Sequence, residues 1–539
     1  MADAKTIKQR YDQLYNAQSN FRNLWQELAE FIMPRRARIT LRRSVGSKTH
    51  SIRQFDSAAE HASSLLASNL QGTLTSDFSQ WFDLVAHDED LNDIQEVQYW
   101  CEQARNLMLS AFYASNMQSE IHEAYLDITA FGNAAILLEE NEVKKAGFNG
   151  FRFQAWPVGE YVMDEGYNGL VDAIYRKFDM SVRAIIQQFG EKNVDPRILQ
   201  KNQTTPHELM PVIHAIYPRA DDEKKGYDKP YASCYLDYTF ETILREGGYE
   251  EFPVMAPRWS KLTGEVYGRG QGEVVLADIR SMNKARQFGF EAWALDLRPP
   301  LAVMDDGVIG RVRWVPGGQI PVRDMANRPQ PINTGARYDV SQIKFAELEE
   351  RIRKGFFNDL LQMPNKSYLT ATEVNATIEN NNRILGPHAG RLQAELLTPL
   401  INRAFNIMYR SKAFPPAPEA LSGKRIDVRY QGPLARAGRL QDVQAMEHLF
   451  LFTANVAKAR PDVLDNFDYD LWIRDVAEKL GTSAKYVLSQ DKIAALRQQR
   501  MQMQQQETQK QDMLGAAQAA GQAAPMMKNI QDAMQGQAA

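Results

Sequence analysis

Gly264-Glu-Val-Tyr-Gly-Arg-Gly-Gln-Gly272 leads into a helical pattern that ends at Arg298-Pro299-Pro300, and the segment beyond that stop decides the fold. Val274, Leu276, Ile279, Met282, Phe288, Phe290, Trp293 and Leu297 recur at helical steps, predicting a helix of roughly 25 residues and ~38 Å at 1.5 Å rise per residue. The two prolines end it, because proline lacks the backbone donor and clashes with the preceding turn. A Pro/Gly/Arg-rich excursion from Val303 to Arg337 then holds two strand candidates, Val308 to Val315 and Gln319 to Val322, split by the turn signal Pro316-Gly317-Gly318. Asp339 with Gln342 three residues on resembles a capping box and opens a second helix. That helix sets Glu347, Glu349 and Glu350 four residues before Arg351, Arg353 and Lys354, while Phe345, Leu348, Ile352 and Phe356 form its apolar side. Helix, small β-like module, helix: the order describes a hairpin-shaped stalk with something mounted on its tip.

Downstream of the stalk, Leu360 to Leu369 is too broken by Pro, Asn and Ser to stay helical. Thr370-Ala-Thr-Glu373 is a T-x-x-E capping box that starts a third helix. Its stripe, from Val374 and Ile378 to Phe405 and Met408, runs for about 38 residues or ~55 Å, too long to hide in one small domain. Pro387 and Pro399 should bend it. Upstream, Ile7 to Ile32 reads as one amphipathic helix stopped by Pro34, and Asp56 can cap the next. A short strand at Ser79 to Val85 and helices at Asn92 to Tyr113 and Gln118 to Phe131 come next. At Gly132-Asn133 the period turns from helical to extended and continues in strand-like segments to Tyr238, making residues 1–262 a mixed α+β region. Pro415-Pro-Ala-Pro418 marks a boundary, after which Ile426 to Tyr430 reads as a strand and Leu440 to Lys458, a segment through Trp472, and Thr482 to Arg500 read as helices. From Gln498 the chain is Gln/Met/Ala-rich and cannot bury a core, so a fraying helix and then disorder are expected.

At 539 residues one core is not enough, since single cores stop growing near ~250 to 300 residues. With 63 Lys plus Arg against 67 Asp plus Glu, the chain does not grip nucleic acid by bulk charge, and any such contact must be local or weak. Cys101 and Cys234 form no metal spacing and no disulfide framework, and read as small core residues. No run of apolar residues is long enough for a membrane span, and the start, Met-Ala-Asp-Ala-Lys-Thr, has no apolar leader, so a cytosolic product is expected.

Catalytic patterns fail one by one. Gly268-Arg-Gly-Gln-Gly272 lacks the lysine and glycine spacing of a phosphate loop and reads as a flexible lead-in to a helix. His122-Glu123 and His207-Glu208 begin like a zinc-protease motif but have Leu126 and Pro211 where the second histidine belongs. No G-x-S-x-G elbow occurs, and Asp88-Glu-Asp90 and Asp305-Asp306 read as exposed acidic turns. No cofactor, metal site or enzyme activity is expected.

Trp81-Phe-Asp-Leu84, Ala130-Phe-Gly-Asn133, Tyr267-Gly-Arg-Gly270 and Thr370-Ala-Thr-Glu373, in this order and with the Gln/Ala/Met tail, resemble the head-to-tail connector (portal) proteins of short-tailed bacteriophages across nearly the whole chain. The resemblance implies a mainly α fold with a mixed α+β wing, assembled as a ring of twelve copies around an axial DNA channel. By position it divides the chain into wing (1–262), first stem helix (263–298), clip (299–338), second stem helix (339–359), tunnel loop (360–369), long spine helix and wing return (370–432), crown (433–497) and tail (498–539). It implies that Met363, Asn365, Lys366 and Tyr368 line the channel, and that Arg311, Arg313, Arg323 and Arg328 of the clip dock partners. Those partners are the large subunit of the terminase motor and later tail adaptors; scaffolding and major capsid proteins are further partners, and double-stranded DNA is the cargo. It implies a protein made in the host bacterial cytoplasm, housed at one capsid vertex of the virion and not inserted in a membrane. Two other readings stand beside it: a helical scaffold or adaptor of the virion with no channel, and a nucleic-acid-processing enzyme, against which the missing motifs count.

Overall fold

A computed structural model describes residues 3–40, 54–77, 80–141, 147–219, 229–297, 301–302, 330–331, 338–361, 386–421, 423–430, 433–480, 482, 486–487 and most of 492–513. The chain is mostly helical with a sheet-containing region, and it divides into two compact units. One comprises 1–83, 106–415 and 430–437; the other comprises 84–105, 416–429 and 438–539.

The predicted amphipathic helix at the start is two helices, α1 (Ala4–Ala17) and α2 (Ser19–Ile32). They break at Gln18, which is fully buried and turns its side-chain amide onto the carbonyl of Tyr161 at 3.2 Å. Periodicity alone could not place that break, since neither Gly nor Pro marks it. Helix α3 (Ala58–Leu74) begins as expected beside Asp56, whose carboxylate accepts from the Ala58 N–H at 2.9 Å. Strand β1 (Phe82–Ala86), α4 (Gln95–Tyr113) and α5 (Met117–Phe131) come after it. Trp81, Phe82, Phe112, Phe151 and Phe153 make one buried aromatic cluster with ring centroids 4.7 to 6.2 Å apart.

Antiparallel sheets of three and five strands form most of the β part of the first unit. β2 (Ala135–Glu140) lies between β3 (Phe151–Trp156) and the two-residue β9 (Val254–Met255). The larger sheet runs in chain order through β4 (Tyr161–Glu165), β5 (Val171–Ser181), β6 (Leu209–Pro218), β7 (Tyr231–Asp237) and β8 (Thr242–Tyr249). One face of it packs Ala215, Cys234 and Leu236 against Ile7 and Tyr11 of α1. The other face packs Met210 and Val212 under α6 (Val182–Phe189) and α7 (Pro196–Thr204). Cys101 and Cys234 are both buried, and neither is in a disulfide.

The stalk helices are where the sequence puts them. After α8 (Gln271–Val274), α9 (Leu276–Leu297) rises for 22 residues, ~33 Å by helix geometry. It meets α10 (Tyr338–Gly355) as an antiparallel hairpin, because Gly355 lies against Val275 and Phe345 lies against Gly289. Past the end of α9 the same order continues in a two-residue strand pair, β10 (Leu301–Ala302) with β11 (Gln330–Pro331), in which Leu301 faces Pro331. Helix α10 starts at Tyr338, so Asp339 is a helical residue and not its cap. The candidate strands at Val308 to Val322 and the capping box at Thr370 lie outside the described residues. After α11 (Asn358–Leu361), the described part of the long helix comprises α12 (386–392), a π-helical turn at Gln393–Leu397 and α13 (Thr398–Arg410). The irregularity expected at Pro399 is therefore a widened turn just before it, which accommodates a residue with no backbone donor.

In the second unit, β12 (Ile426–Tyr430) pairs with β1. α14 (Pro433–Ala457) starts earlier than the apolar stripe suggested, and α15 (Tyr469–Lys479) comes after it. Residues 492–511 are helical.

Candidate functional site

The stalk is rooted on bare backbone contact. Gly132 ends α5 in the left-handed region, at φ 81°, where a side chain is disfavoured. A Cβ added at Gly270 would lie 2.5 Å from the Gly132 nitrogen and 3.0 Å from the Ala130 oxygen; one at Gly268 would lie 2.6 Å from the Gly132 oxygen. Three glycines therefore exist because two main chains touch here. Asn133, fully buried, seals the contact from both sides: its amide donates to the Gly268 carbonyl at 2.9 Å, and its oxygen accepts from the Gly268 N–H at 2.7 Å. Tyr267 accepts a hydrogen bond from the Met163 N–H at 3.0 Å and sets its ring edge-on to Trp25 at 5.3 Å. Ala130-Phe-Gly-Asn133 and Tyr267-Gly-Arg-Gly270, separate motifs in the sequence, are thus one structural joint. The glycine stretch rejected as a phosphate loop has its physical explanation in the same joint.

Arg258 ties the joint to the rest of the unit. Only 1% exposed, it grips Glu395 of the π turn through its backbone N–H (2.9 Å), Nε (3.0 Å) and Nη2 (2.9 Å). Its Nη1 pairs with Glu165 at the end of β4 and donates to the Val266 carbonyl at 3.1 Å, while Nη2 also reaches the Gly169 carbonyl at 3.0 Å. Lys261 shares Glu165 at 2.5 Å. His388 of α12 stacks on Trp259 at 4.3 Å. A planar guanidinium is the group able to satisfy this many acceptors in fixed directions. Sheet hairpin, stalk root and long helix are held by one side chain.

A second ion group, buried at Asp127 and open to solvent at Glu123, lies between the stretch after α2 and α5, where Arg36 pairs with both carboxylates. Burial pushes the Asp127 carboxyl up to about 7, against the downward pull of the Arg36 charge. Arg36 is accordingly structural.

A concavity of about 1050 Å³ opens between β2–β3, the face of β5–β8 left bare by α6 and α7, and α13. On its floor His214 Nε2 and Ser233 Oγ are 2.9 Å apart. This pair is not a hydrolytic dyad. Burial, helped by Arg176 and Arg245, pulls the imidazole down to about 3, whereas a general base must take up a proton near its working pH. The ring stacks flat on Tyr235 at 3.9 Å and functions as a core group. Among the described residues no group of three His, Cys, Asp or Glu side chains is placed to hold a metal ion, and no described helix is long and apolar enough to cross a membrane. His122 of the abortive zinc motif bonds Gln71 at 2.7 Å, and Asp88 of the acidic turn pairs with Lys424 at 3.2 Å.

Met363, Asn365, Lys366 and Tyr368, together with Arg311, Arg313, Arg323 and Arg328, lie outside the described residues. What sequence reasoning missed is Arg258 and its partners: Pro257-Arg258-Trp259 carries no local signal, and its carboxylates lie 93 and 137 residues away. The one available hint was a charged residue inside an otherwise apolar run from Phe252 to Trp259.

The sequence matches the family described as bacteriophage head to tail connecting protein over residues 4–488. It is 28% identical over 518 residues to the probable portal protein of Bordetella phage BPP-1, covering 93% of this chain and 92% of that protein. It is 27% identical over 540 residues to the portal protein of Salmonella phage epsilon15, covering 97% and 94%. A solved structure of the neck of a native gene transfer agent particle, computed with C12 symmetry, contains a chain similar at TM-score 0.32 and 11% identity, over 72% of this chain and 85% of that one.

Proposed function

Because the chain belongs to the family of bacteriophage head-to-tail connecting proteins, we propose that it works as a ring through which DNA enters and leaves the phage head. The chain is a structural portal protein of the virion's head-tail junction and not an enzyme. In the proposed ring, residues 1–262 are the wing, α9 and α10 the stem, 299–338 the clip at its tip, 360–369 the tunnel loop, the long helix the spine, and 433–497 the crown. Twelve copies would surround the channel. The clip would dock the terminase large subunit during packaging and tail adaptors afterwards, with scaffolding and major capsid proteins around the wing at the capsid vertex.

The observation that carries this reading is the two-helix stalk, rooted by backbone contact at Gly132–Gly270 and closed at its far end by the β10–β11 pair. A head-to-tail contact that closes by rotation makes a ring, in which each residue becomes a circle of copies. One Lys366 per chain then sets a belt of positive charge at the constriction. On α10 the cations are matched: Arg351, Arg353 and Lys354 pair with Glu347, Glu349 and Glu350 at 2.6 to 2.7 Å. Such matching leaves little charge to hold a sliding duplex, which dense unpaired Lys and Arg would bind too tightly through counterion release. The test is the mass of the purified particle together with negative-stain images. Twelve chains of 61.3 kDa give about 736 kDa and a centred hole; a monomer or an assembly without a hole overturns the proposal in favour of a scaffold or adaptor.

A further inference from the structure

We infer that the cleft between the two sheets docks an acidic, extended segment of another protein chain. The larger sheet explains why the cleft exists. Helices α6 and α7 cover Met210, Val212 and Leu244 at one end of its second face and stop there. The uncovered end is polar instead of apolar and presents Arg176, His214, Ser233, Tyr235 and Tyr249. The opposite wall comes from β2 and β3, where the cross-strand pairs Leu137–Gln154 and Glu139–Arg152 place those side chains on one face. At Gly247 and Gly248 no side chain fills the floor, and a Cβ at Gly248 would lie 2.7 Å from the Tyr231 oxygen.

Charge selects the ligand. Arg152, Arg176, Lys229, Arg245, Arg403 and Arg410 line the space, against the carboxylates of Glu139, Glu140 and Glu250. Some of these cations are already engaged: Arg176 with Glu160 at 2.9 Å, and Arg403 and Arg410 both with Glu251. Among the carboxylates Glu139 receives the Tyr249 hydroxyl. Arg152 and Lys229 are exposed and make no ion pair among the described residues. The site therefore offers unspent positive charge at its rim, above a floor and walls of hydroxyls and amides, including Gln154, Gln187 and Gln188. Carboxylates interleaved with the cations would repel a dense polyphosphate at close range. A peptide that spaces its own carboxylates along a chain of amide groups avoids them and gives the glutamines backbone partners. The volume, just above the range for small-molecule sites of roughly 300 to 1,000 Å³, and the polar lining also suit a segment of chain better than a compact apolar ligand.

The test uses the full-length assembled protein and fluorescein-labelled hexaglutamate, monitored by fluorescence polarisation at low salt. Saturable binding that hexaglutamine does not share is expected, and the double substitution Arg152→Glu with Lys229→Glu should weaken it by at least about tenfold. Both residues are exposed, so the particle mass and circular dichroism of the variant should be unchanged and serve as the folding control. Binding that is not saturable, or that survives the double charge reversal, overturns the inference. Inorganic tripolyphosphate that displaces the peptide at lower concentration than unlabelled hexaglutamate also overturns it, by making the cleft a phosphate site.

Discussion

Replacing Arg258 by alanine asks whether the stalk root is held by directed charge or by packing alone. The substitution removes every contact of the guanidinium at once and leaves Glu395, whose side chain is 9% exposed, with a carboxylate that can neither reach water freely nor find an equal partner. Arg391, at 3.7 Å, supplies a weaker substitute. Breaking a buried ion pair from one side costs ~3 to 5 kcal/mol, and the presence of Arg391 places the expected loss near the lower end, at ~3 kcal/mol. Because a chain of two units need not unfold in one step, the loss is best read locally, by hydrogen exchange of peptides covering 258–272 and 390–400 in the assembled protein. At ~1.4 kcal/mol per tenfold, protection there should fall by roughly a hundredfold, while peptides of β6 and β7 change little. Arg258→Lys keeps the charge but loses the two-pronged grip and should fall between. Adding Glu395→Gln to Arg258→Ala should recover at least ~1 kcal/mol, since the stranded charge is then gone. A change of less than threefold in Arg258→Ala, or a double variant no better than the single one, would refute the role assigned to this side chain.

Glycine supplies a sharper contrast. Gly132→Ala places a Cβ against the backbone of Arg269 and Gly270 at a left-handed φ, and should abolish soluble assembly; Gly72→Ala, inside α3 with no atom within 4 Å, should stabilise by ~0.5 to 1 kcal/mol in urea titrations. Asp127 and His214 give opposite pH dependences. A carboxyl raised from 3.8 to about 7 binds its proton more tightly when folded, so it contributes stability that is lost as pH climbs between those values. An imidazole lowered from 6.5 to about 3 contributes stability that is lost as pH falls between those values. Asp127→Asn should therefore gain on the wild type at pH 8 by up to ~2.5 kcal/mol relative to the comparison at pH 5, at ~1.4 kcal/mol for each of the roughly two pH units between pH 5 and the folded value, and urea midpoints that shift equally at both values would contradict the assignment. Lys366→Glu should reduce DNA packaging and retention in an infected cell, and normal packaged-DNA yield would count against a charge belt at the constriction. Joint replacement of Arg311, Arg313, Arg323 and Arg328 by alanine should weaken terminase binding in pull-down, and unchanged recovery would remove the clip arginines from the docking surface.

The legibility of each element tracks the range of its signal. The stalk helices were readable because apolar spacing, Pro299-Pro300 and the i,i+4 charge pairs are all local, and α9 ends at Leu297, just before those prolines. Helix α10 begins at Tyr338, one residue before Asp339, so the Asp-x-x-Gln spacing lies inside the helix, where it occurs by chance as well as before one. Strand β8 went unread: Thr242 to Tyr249 carries Arg245, Glu246, Gly247 and Gly248, a composition that describes an outer strand only once its neighbour β7 is known. Gly268 and Gly270 could be seen as glycines of a turn, yet their reason is a main chain 136 to 138 residues earlier, and Asn133 bonds Gly268 across 135 residues. Arg258 is the extreme case, with local sequence that predicts nothing and partners supplied by the fold.

The charges of the first unit thus divide by depth into two kinds of work. At the root, Arg258, Lys261, Glu165 and Glu395 are few, buried or half-buried and directional, so they add fixed distances to a joint already closed by backbone contact. Along α10 the pairs are exposed, regular and mutual, and exposed pairs contribute little to stability. Their effect is to present cations whose charge is already answered by a neighbour on the same helix. In the proposed ring, a stalk that guides DNA would need both kinds: a rigid base, so that the wall does not yield as the load moves, and a surface that neither attracts nor repels the load strongly. This chain, with 63 basic against 67 acidic residues, would meet the second need by interleaving opposite charges instead of omitting them. A near-neutral composition is compatible with the proposed role, because bulk positive charge would bind the load instead of letting it slide.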